Sequence, residues 1–304
     1  MTLHALKSAS AASTVAASNL RNPFAPFDPA LHAAFDANVN QAIAEDVGDC
    51  DYTGLLVPES EFVKARVIVR EAAVLCGAPW FEAVMTRLDP RLQVSWRYAE
   101  GEMMTADSEV CTIEGPARAL LTAERGALNF LQLLSGVASA TRRYVEVVQG
   151  TAASILDTRK TLPGLRLAQK YAVRVGGGAN QRLALYDGIL IKENHIAAAG
   201  GITAAVAAAI KLNAGVTIQV EVENLQELEE ALQAGAQSIL LDNFSLELMR
   251  EAVVITAGRA LLEASGGINM QTVRAIAETG VDRISIGSLT KDIQATDFSL
   301  RVVG

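Results

Sequence analysis

TIQVEVENLQELEEALQAGAQSILLD, residues 217–242, carries the pattern that decides the fold. A short apolar run at 217–222 is followed by an amphipathic helical segment at 225–235, and a second apolar run begins at Ser238. Near-continuous apolar strands that alternate with helices are what a parallel sheet covered on both faces requires. The segment therefore predicts a strand–helix–strand unit of such a sheet.

The same alternation extends outward from this segment in both directions. Apolar strands recur as SILDTR, DGILIKENH, LLEASGG and RISIGS, which begin at residues 154, 187, 261 and 283, with amphipathic helical segments between them. No G-x-G-x-x-G follows the first strand, so a dinucleotide-binding sheet is disfavoured. Six strands in this arrangement predict an α/β fold with an incomplete, TIM-like barrel of fewer than eight strands.

The region before residue 116 has a different pattern. Strand-like segments occur at 64–72, 92–100 and 108–115, and a helical segment at 78–88 lies between the first two. Strands that follow one another so closely are typical of an α+β region with an open sheet. A long helical segment then leads from about Leu121 toward the barrel.

Composition excludes several functional classes. The 304 residues carry a formal net charge of -8, and a pI near 5.1 argues against general nucleic-acid binding. Three cysteines without a C-x-x-C spacing favour a reducing compartment. Residues 1–24 lack the apolar block of a secretory signal, and the apolar run at 196–210 is too short for a membrane span. We expect a soluble, cytoplasmic protein with a flexible extension at 1–24.

One segment, 157–182, is unusually basic for an acidic chain. Its sequence, DTRKTLPGLRLAQKYAVRVGGGANQR, combines six cations with the single acid Asp157. Arg166, Lys170 and Arg174 recur every four residues, which fits either a solvated helix face or a stripe that faces phosphate. The other three cations flank a strand or a glycine-rich turn, which favours a site that binds carboxylates. These three are Arg159, Lys160 and Arg182.

Polar residues end each predicted strand of the barrel, and in a barrel these ends lie on one rim, where active sites form. The alternative reason for their polarity is that loops are exposed to solvent. The residues are Arg159 and Lys160, Lys192 and Asn194, Glu221 and Glu223, Asp242, Glu263 and Ser265, and Gly287 and Ser288.

Two of these rim loops contain glycine and are candidate phosphate cradles. They are ASGGIN (264–269), with Asn269 as the expected N-cap of the next helix, and SIGSLT (285–290). Glu221 and Asp242 offer the oxygen ligands that Mg²⁺ prefers. The residues alone therefore predict Mg²⁺-assisted transfer that involves a phosphorylated substrate and a polyanionic one.

The combined motifs closely resemble the quinolinate phosphoribosyltransferase family, also called carboxylating nicotinate-nucleotide pyrophosphorylases. They are DTRKTLPGLR, LYDGILIKENHI, EVEN, LLDNF, EASGGI and SIGSLT, together with AIAEDVGDCDYTG (42–54) and AERGALNFLQLLSG (123–136). The resemblance implies a sandwich domain at 25–125 completed by the tail 294–304, and a barrel domain at 126–293. It also implies a Mg²⁺-dependent homodimer that transfers phosphoribosyl from phosphoribosyl pyrophosphate to quinolinate with decarboxylation, giving nicotinate mononucleotide for NAD biosynthesis.

The resemblance further implies roles for single residues. Quinolinate would contact Thr158, Arg159, Gln181, Arg182 and Lys192, and also Arg125 of the partner subunit. Phosphoribosyl pyrophosphate would contact Lys160, Ser265, Gly266, Gly267, Gly287 and Ser288. Catalysis would involve Lys160, Lys192, Glu221 and Asp242, of which the two acids would also hold Mg²⁺.

Two positions depart from the family pattern, and two alternatives stay open. Gln181 stands where many members have His, and Ala184 where they have Gly. Gln181 can donate a hydrogen bond but cannot carry charge. His195, in KENH, fits a capping role as well as a catalytic one. The alternatives are a paralogue with another substrate and a catalytically silent ligand-binding homologue. The joint presence of the catalytic residues and Arg125 counts against the silent homologue.

Overall fold

Residues 18–303 are described in the computed structural model of the protein. Of the predicted extension at 1–24, residues 1–17 lie outside the described residues. Residues 18–24 are attached to the N-terminal part of the fold. The Asn19 side chain accepts from the Trp96 N–H at 2.8 Å and donates to its carbonyl at 3.3 Å. The Arg21 carbonyl accepts from the Glu100 N–H at 2.9 Å.

The N-terminal part contains both the short strands and the long helix that the sequence predicts. Its elements are α1 (Pro29–Val47), a 3-10 turn (Gly54–Leu56), β1 (Phe62–Val69), β2 (Ala73–Val74), α2 (Ala78–Leu88), β3 (Gln93–Trp96), β4 (Met103–Met104), β5 (Glu109–Pro116) and α3 (Ala117–Val147). Helix α2 follows Gly77, whose φ of 97° is in the left-handed region that favours glycine.

The C-terminal part alternates strands and helices. Its elements are β6 (Ser154–Leu156), α4 (Arg166–Val175), β7 (Gly188–Ile191), α5 (Glu193–Ala199), α6 (Ile202–Leu212), β8 (Thr217–Val222), α7 (Leu225–Gln233), β9 (Ser238–Asp242), α8 (Leu246–Thr256), β10 (Leu261–Ser265), α9 (Val273–Ala277), β11 (Arg283–Ser285), α10 (Ser288–Lys291) and β12 (Phe298–Val303).

Six of these strands form one parallel sheet, in the order β6-β11-β10-β9-β8-β7. The central unit shows why the sequence folds this way. In β8, Val220 and Val222 are buried. Asn224 is the N-cap of α7, and its side chain accepts from the Glu227 N–H at 2.9 Å. No ladder connects the edge strands β6 and β7 among residues 18–303, which confirms the predicted α/β fold with an incomplete barrel of fewer than eight strands.

The second sheet belongs to the N-terminal part, but its last strand comes from the end of the chain. Its order is β12-β1-β5-β3, and all pairs are antiparallel. Burial alternates along β1, with Ala65, Val67 and Val69 packed in one hydrophobic core with α2 and α3. This arrangement is the predicted open-faced sandwich.

Helices α3 and α4 link the two parts. The stretch of α3 from Leu120 to Ala138 packs in the core of the sandwich, whereas Tyr144, in the same helix, packs in the core of the parallel sheet. The predicted division at 125/126 therefore lies inside a continuous helix. Helix α4 also packs on the sandwich, and its Tyr171 hydroxyl donates to the buried Glu100 carboxylate at 3.0 Å.

Between residues 18 and 303, no single helix has the length and apolar composition needed to cross a membrane. Only α5 and α6 taken together, with axes bent by 91°, reach the length and apolar composition of a span.

Candidate active site

The carboxyl ends of the parallel strands converge on two adjoining pockets. A pocket of about 370 Å³ lies over the strand ends, and a second pocket of about 600 Å³ lies beside it. Five residues line both: Thr158, Lys160, Asp242, Ser265 and Ser285. This is the rim that the polar strand ends predict. The first pocket is also lined by Arg159, Gln181, Arg182, Leu190, Lys192, Glu221, Leu240 and Glu263.

Arginine side chains give the first pocket positive charge. The Arg182 guanidinium donates to the Gly188 carbonyl at 3.0 Å, which fixes it at the start of β7. Burial, and then the neighbouring charge of Arg159, lower the pKa of Arg182. The buried Nε of Arg159 has no hydrogen-bond partner within residues 18–303. A bound carboxylate would neutralise the two neighbouring, half-buried guanidinium groups and would accept from the unsatisfied N–H.

Lys192 and Glu221 form an ion pair across adjacent strands. The Lys192 Nζ lies 2.9 and 2.6 Å from the two carboxylate oxygens of Glu221. Lys192 follows β7 and Glu221 lies in β8, which are parallel neighbours. The pair places a cation and an oxygen ligand on the wall of the first pocket. A substrate or cation that binds here therefore competes with an existing interaction.

The second pocket is lined by the two glycine-containing loops. Gly266 and Gly267 have φ values of 103° and 59°, and a Cβ at Gly266 would lie 2.1 Å from Oδ1 of Asn243. A Cβ at Gly287 would lie 3.1 Å from Cδ of Lys160, so the lysine stem runs along this glycine. The predicted cradle residues Ser265, Gly266, Gly267, Gly287 and Ser288 all line this pocket.

The prediction that Asn269 caps the following helix is wrong. Helix α9 begins at Val273, and its N-cap position is Thr272. Asn269 instead accepts from the N–H groups of Gln271 and Thr272, at 3.0 and 3.2 Å, and closes a turn before the helix. Side-chain turns of this kind compete with a helix start, and the sequence does not distinguish them.

Lys170 is neither on a solvated face nor in the pocket, which corrects the interpretation of the four-residue repeat. It is 1% exposed and forms an ion pair with the fully buried Asp157. Asp157 also accepts from Asn180 Nδ2 at 2.6 Å and from the Gln181 N–H at 3.0 Å. Burial raises the pKa of Asp157 and lowers that of Lys170, while their mutual attraction opposes both changes. The pair fixes the backbone that carries Gln181.

The other cations of the repeat do not form a stripe in either pocket. Arg166 donates to the Thr161 hydroxyl at 3.1 Å, and Arg174 is exposed and lies over the Tyr171 ring. Within the basic segment, the single acid Asp157 therefore indicated the internal ion pair better than the spacing of the cations did.

A chain of hydrogen bonds continues from Gln181 beneath the pocket. Gln181 Nε2 donates to Gln219 Oε1 at 2.9 Å, and Gln219 Nε2 donates to Glu263 Oε2 at 2.9 Å. Both side chains are buried; Glu263 was predicted only as a polar strand end of the rim, and Gln219 was not among the predicted site residues. The period of two along β8 places Gln219 on the same face as Glu221, and this alternation was the signal for it.

Two remaining predicted residues lie apart from this chemistry. Arg125 is exposed on α3 and lines neither pocket of its own chain. His195 Nδ1 accepts from the Lys192 N–H at 3.0 Å at the start of α5, which is the capping role. Asn194 and Glu223, two of the polar strand ends, line neither pocket.

Comparison with known proteins agrees with this geometry. The family models for the N-terminal and C-terminal domains of quinolinate phosphoribosyl transferase match residues 51–135 and 137–301. A nicotinate-nucleotide pyrophosphorylase (carboxylating) from Mycobacterium leprae is 39% identical, covering 88% of this chain and 97% of its own.

Solved structures give the same result. The nicotinate-nucleotide pyrophosphorylase from Francisella tularensis is 45% identical, with a TM-score of 0.87 over 89% of this chain and 96% of its own. The one from Ehrlichia chaffeensis is 40% identical, with a TM-score of 0.85 over 88% and 98%. The two strand-end pockets, the fold and these matches lead to one conclusion: the chain belongs to the quinolinate phosphoribosyl transferase family.

Proposed function

We propose that this protein transfers the phosphoribosyl group of phosphoribosyl pyrophosphate to quinolinate and releases CO₂, pyrophosphate and nicotinate mononucleotide. The observation that carries the proposal is the junction of two pockets, one lined by arginines and one by glycine loops, at the ends of the parallel strands. The first suits a dicarboxylate and the second a phosphate. Membership in a family of phosphoribosyltransferases supports the same assignment.

Quinolinate would bind in the first pocket. Arg159 and Arg182 would each meet a carboxylate, because planar guanidinium groups match carboxylates with paired hydrogen bonds. Lys192, Thr158 and Gln181, which line the same wall, would complete the contacts. A charged hydrogen bond contributes about 1.5–3 kcal/mol, so losing one carboxylate of the substrate would be costly.

Phosphoribosyl pyrophosphate would lie across the shared wall of the two pockets. Gly266, Gly267 and Gly287 leave room for its 5′-phosphate, and Ser265 and Ser288 offer hydroxyl groups. Lys160 lines both pockets and would reach the diphosphate. Bound in this way, the anomeric carbon would face the ring nitrogen of quinolinate.

The carboxylates fit Mg²⁺ that is held jointly with the substrate. Between residues 18 and 303, no cluster of three or more His, Cys, Asp or Glu side chains is arranged to bind a metal by itself. Mg²⁺ at phosphate sites is commonly bound by one or two carboxylates plus substrate oxygens, and Glu221 and Asp242 provide that number. The ion would neutralise charge on the departing pyrophosphate.

The protein would act by positioning and by neutralising charge. The ring nitrogen forms its bond to the anomeric carbon as the bond to pyrophosphate breaks. The positively charged ring then accepts the electrons of the adjacent C–CO₂ bond, CO₂ leaves, and a proton takes its place on the ring. No protein nucleophile is needed, since orientation and cationic surroundings lower both barriers.

Turnover tests this function. Purified protein with quinolinate, phosphoribosyl pyrophosphate and Mg²⁺ should release CO₂ and nicotinate mononucleotide in equal amounts. Lys160→Ala should abolish release, whereas Lys211→Ala, at an exposed lysine outside both pockets, should not. Nicotinate, which lacks one carboxylate, should give a far lower kcat/KM. Equal use of the two acids would favour a paralogue with another substrate, and no turnover would contradict the proposal.

A homodimer in which Arg125 of the partner subunit enters the first pocket belongs to the same proposal. Its support here is that Arg125 is exposed and lies outside the pockets of its own chain. Cytoplasmic location stays a prediction from the sequence.

A further inference from the structure

The buried hydrogen bonds that run from Gln181 through Gln219 to Glu263 have a donor–acceptor direction that depends on the protonation of Glu263. An ionised carboxylate can only accept, so Gln219 must turn its NH₂ group to Glu263 and its oxygen to Gln181. Gln181 then donates one of its two N–H groups to Gln219. The amide that lines the pocket retains a single free N–H beside an oxygen, and that oxygen repels a carboxylate.

Protonated Glu263 would reverse this direction. A carboxylic acid donates its O–H, and Gln219 would turn its oxygen to receive it and its NH₂ group to Gln181. Gln181 would then accept through its oxygen and have both N–H groups free for the pocket. Each change is a half-turn of a glutamine side chain about its Cγ–Cδ bond, a torsion with two broad, nearly equivalent minima. The rest of the site need not move.

The surroundings of Glu263 favour such a change. It is 1% exposed, and its Oε1 has no hydrogen-bond partner within residues 18–303. Burial raises the pKa of Glu263, while the hydrogen bond from Gln219, the nearby Ser285 hydroxyl and the charge of Arg283 oppose the increase. An unsatisfied oxygen makes the ionised form costly in a site of low dielectric constant.

Polar and charged groups near Glu263 come from several strands of the site. Arg283 and Ser285 lie on the neighbouring strand β11, and Gln219 lies on β8. The pocket above holds Arg159, Lys160, Arg182, Lys192, Glu221 and Asp242. A bound dianion would add negative charge near Glu263, and it would exclude water. Both effects raise the pKa of a buried acid.

We propose that Glu263 takes up a proton from solvent when the dicarboxylate binds, and that this proton reverses the hydrogen bonds through Gln219 so that Gln181 donates to the substrate. The inference rests on the proposed substrate. It assigns Glu263 and Gln219 as positioning residues and makes Gln181, a neutral side chain, responsive to the charge of the ligand.

Proton uptake tests the inference directly. Calorimetric titration of quinolinate alone, in buffers of different ionisation enthalpy, counts the protons exchanged. At a pH where free Glu263 is ionised, the wild-type protein should take up about one proton more per site than Glu263→Gln. Glu223→Gln, at an exposed carboxylate after the same strand that carries Gln219, is the matched control and should behave as wild type.

The pH dependence has a definite sign. Because binding takes up a proton, the affinity of the wild-type protein for quinolinate should decrease with rising pH, by up to about tenfold per pH unit relative to Glu263→Gln. The decrease is confined to the interval between the pKa of Glu263 in the free protein and its higher pKa in the complex. Equal proton uptake and parallel pH profiles in the two proteins would overturn the inference.

Infrared difference spectroscopy of the wild-type protein keeps the test independent of whether Glu263→Gln folds. Addition of quinolinate should produce the carbonyl stretch of a buried, protonated carboxyl group, and its absence would overturn the inference. Turnover of the wild-type protein separates the two proposals. Turnover without proton uptake refutes only the relay, uptake without turnover refutes only the proposed reaction, and no binding of quinolinate refutes both.

Discussion

Glu100 is a buried carboxylate far from the substrate pockets, at the junction of three segments. Its oxygens accept from the N–H groups of Gly77 and Ala78, at 2.8 and 3.2 Å, and from the Tyr171 hydroxyl. Burial raises the pKa of Glu100 to about 7, against a usual value of 4.5. The folded protein thus holds this proton more tightly than the unfolded chain.

Stability should therefore decrease as the pH rises through this interval. The contribution is fully present below about pH 4.5 and is lost progressively up to about pH 7, with a slope of at most about 1.4 kcal/mol per pH unit. Denaturant unfolding between pH 5 and 7 should show a pH slope that is steeper in wild type than in Glu100→Gln by up to this amount. Glu229→Gln, at an exposed carboxylate on α7, should keep the wild-type slope. Identical slopes in all three proteins would contradict the assignment.

Glu221 and Asp242 carry a second prediction at this scale. Glu221→Gln or Asp242→Asn should weaken Mg²⁺-dependent binding of phosphoribosyl pyrophosphate by at least about tenfold, because each removes one oxygen ligand of the proposed ion. Binding of quinolinate alone should be retained. Separate titrations of the two ligands measure this, and an unchanged Mg²⁺ dependence in both variants would argue against the metal assignment.

For single residues, the lining of the pockets was easier to predict than the partners of the buried side chains. The motifs placed Lys160, Lys192, Glu221 and Asp242, and all four line the pockets. Sequence reasoning missed the buried groups that hold the pocket in place, above all the partner of Lys170. Ion pairs between distant strands and helices depend on side-chain direction in the folded state, and a spacing of four residues along one helix cannot reveal it.

Helix α3 packs closely against the C-terminal tail, residues 294–303. It passes beneath the chain that leads into β12, and a Cβ at Gly136 would lie 2.3 Å from the Gln294 carbonyl oxygen. On the same helix, a Cβ at Gly126 would have ordinary contact with Val84, at 3.6 Å. The two glycines therefore differ in what surrounds them, although both sit inside one helix.

Substituting these glycines separates packing from helix propensity. Gly136→Ala should lower the free energy of unfolding by about 1–3 kcal/mol, because the tail must move away. Gly126→Ala, the matched control, should leave it unchanged or raise it by up to about 1 kcal/mol, since alanine favours helix. Urea unfolding of both variants measures the difference. A stabilised Gly136→Ala would show that the tail approaches α3 less closely than described.

At the element scale, periodicity predicted most of the structure. All six parallel strands and helix α2 occur where the apolar patterns place them. The short paired strands β2 and β4 were missed, because two residues carry no measurable period. The packing of α4 on the sandwich was also missed. Its apolar face indicates burial but does not say against which of two cores.

At the scale of the whole molecule, the proposed dimer makes a quantitative prediction. Arg125→Ala and Lys192→Ala should each be nearly inactive, because each proposed site would lose one cation. Unfolded together and refolded as a mixture, half of the dimers should contain one chain of each kind. Such a dimer has one site without either group and one complete site, so activity should recover to about a quarter of wild type.

The same mixture shows whether Arg125 acts in the site of its own chain or in the site of the partner subunit. If Arg125 acts within its own chain, mixed dimers contain only damaged sites and stay inactive. Tagging the two chains differently and isolating the doubly tagged species shows that mixed dimers have formed. An inactive doubly tagged species would exclude exchange of Arg125 between subunits.

The pairing of β12 with β1 sets the order of events during synthesis. Val69 pairs with Phe298 and Lys64 with Val303, so this edge of β1 stays unpaired until residues 298–303 have left the ribosome. The first domain to emerge is thus the last to be completed, and an open strand edge is a template for pairing with other nascent chains. A chain that is released before β12 has been made keeps this strand edge open.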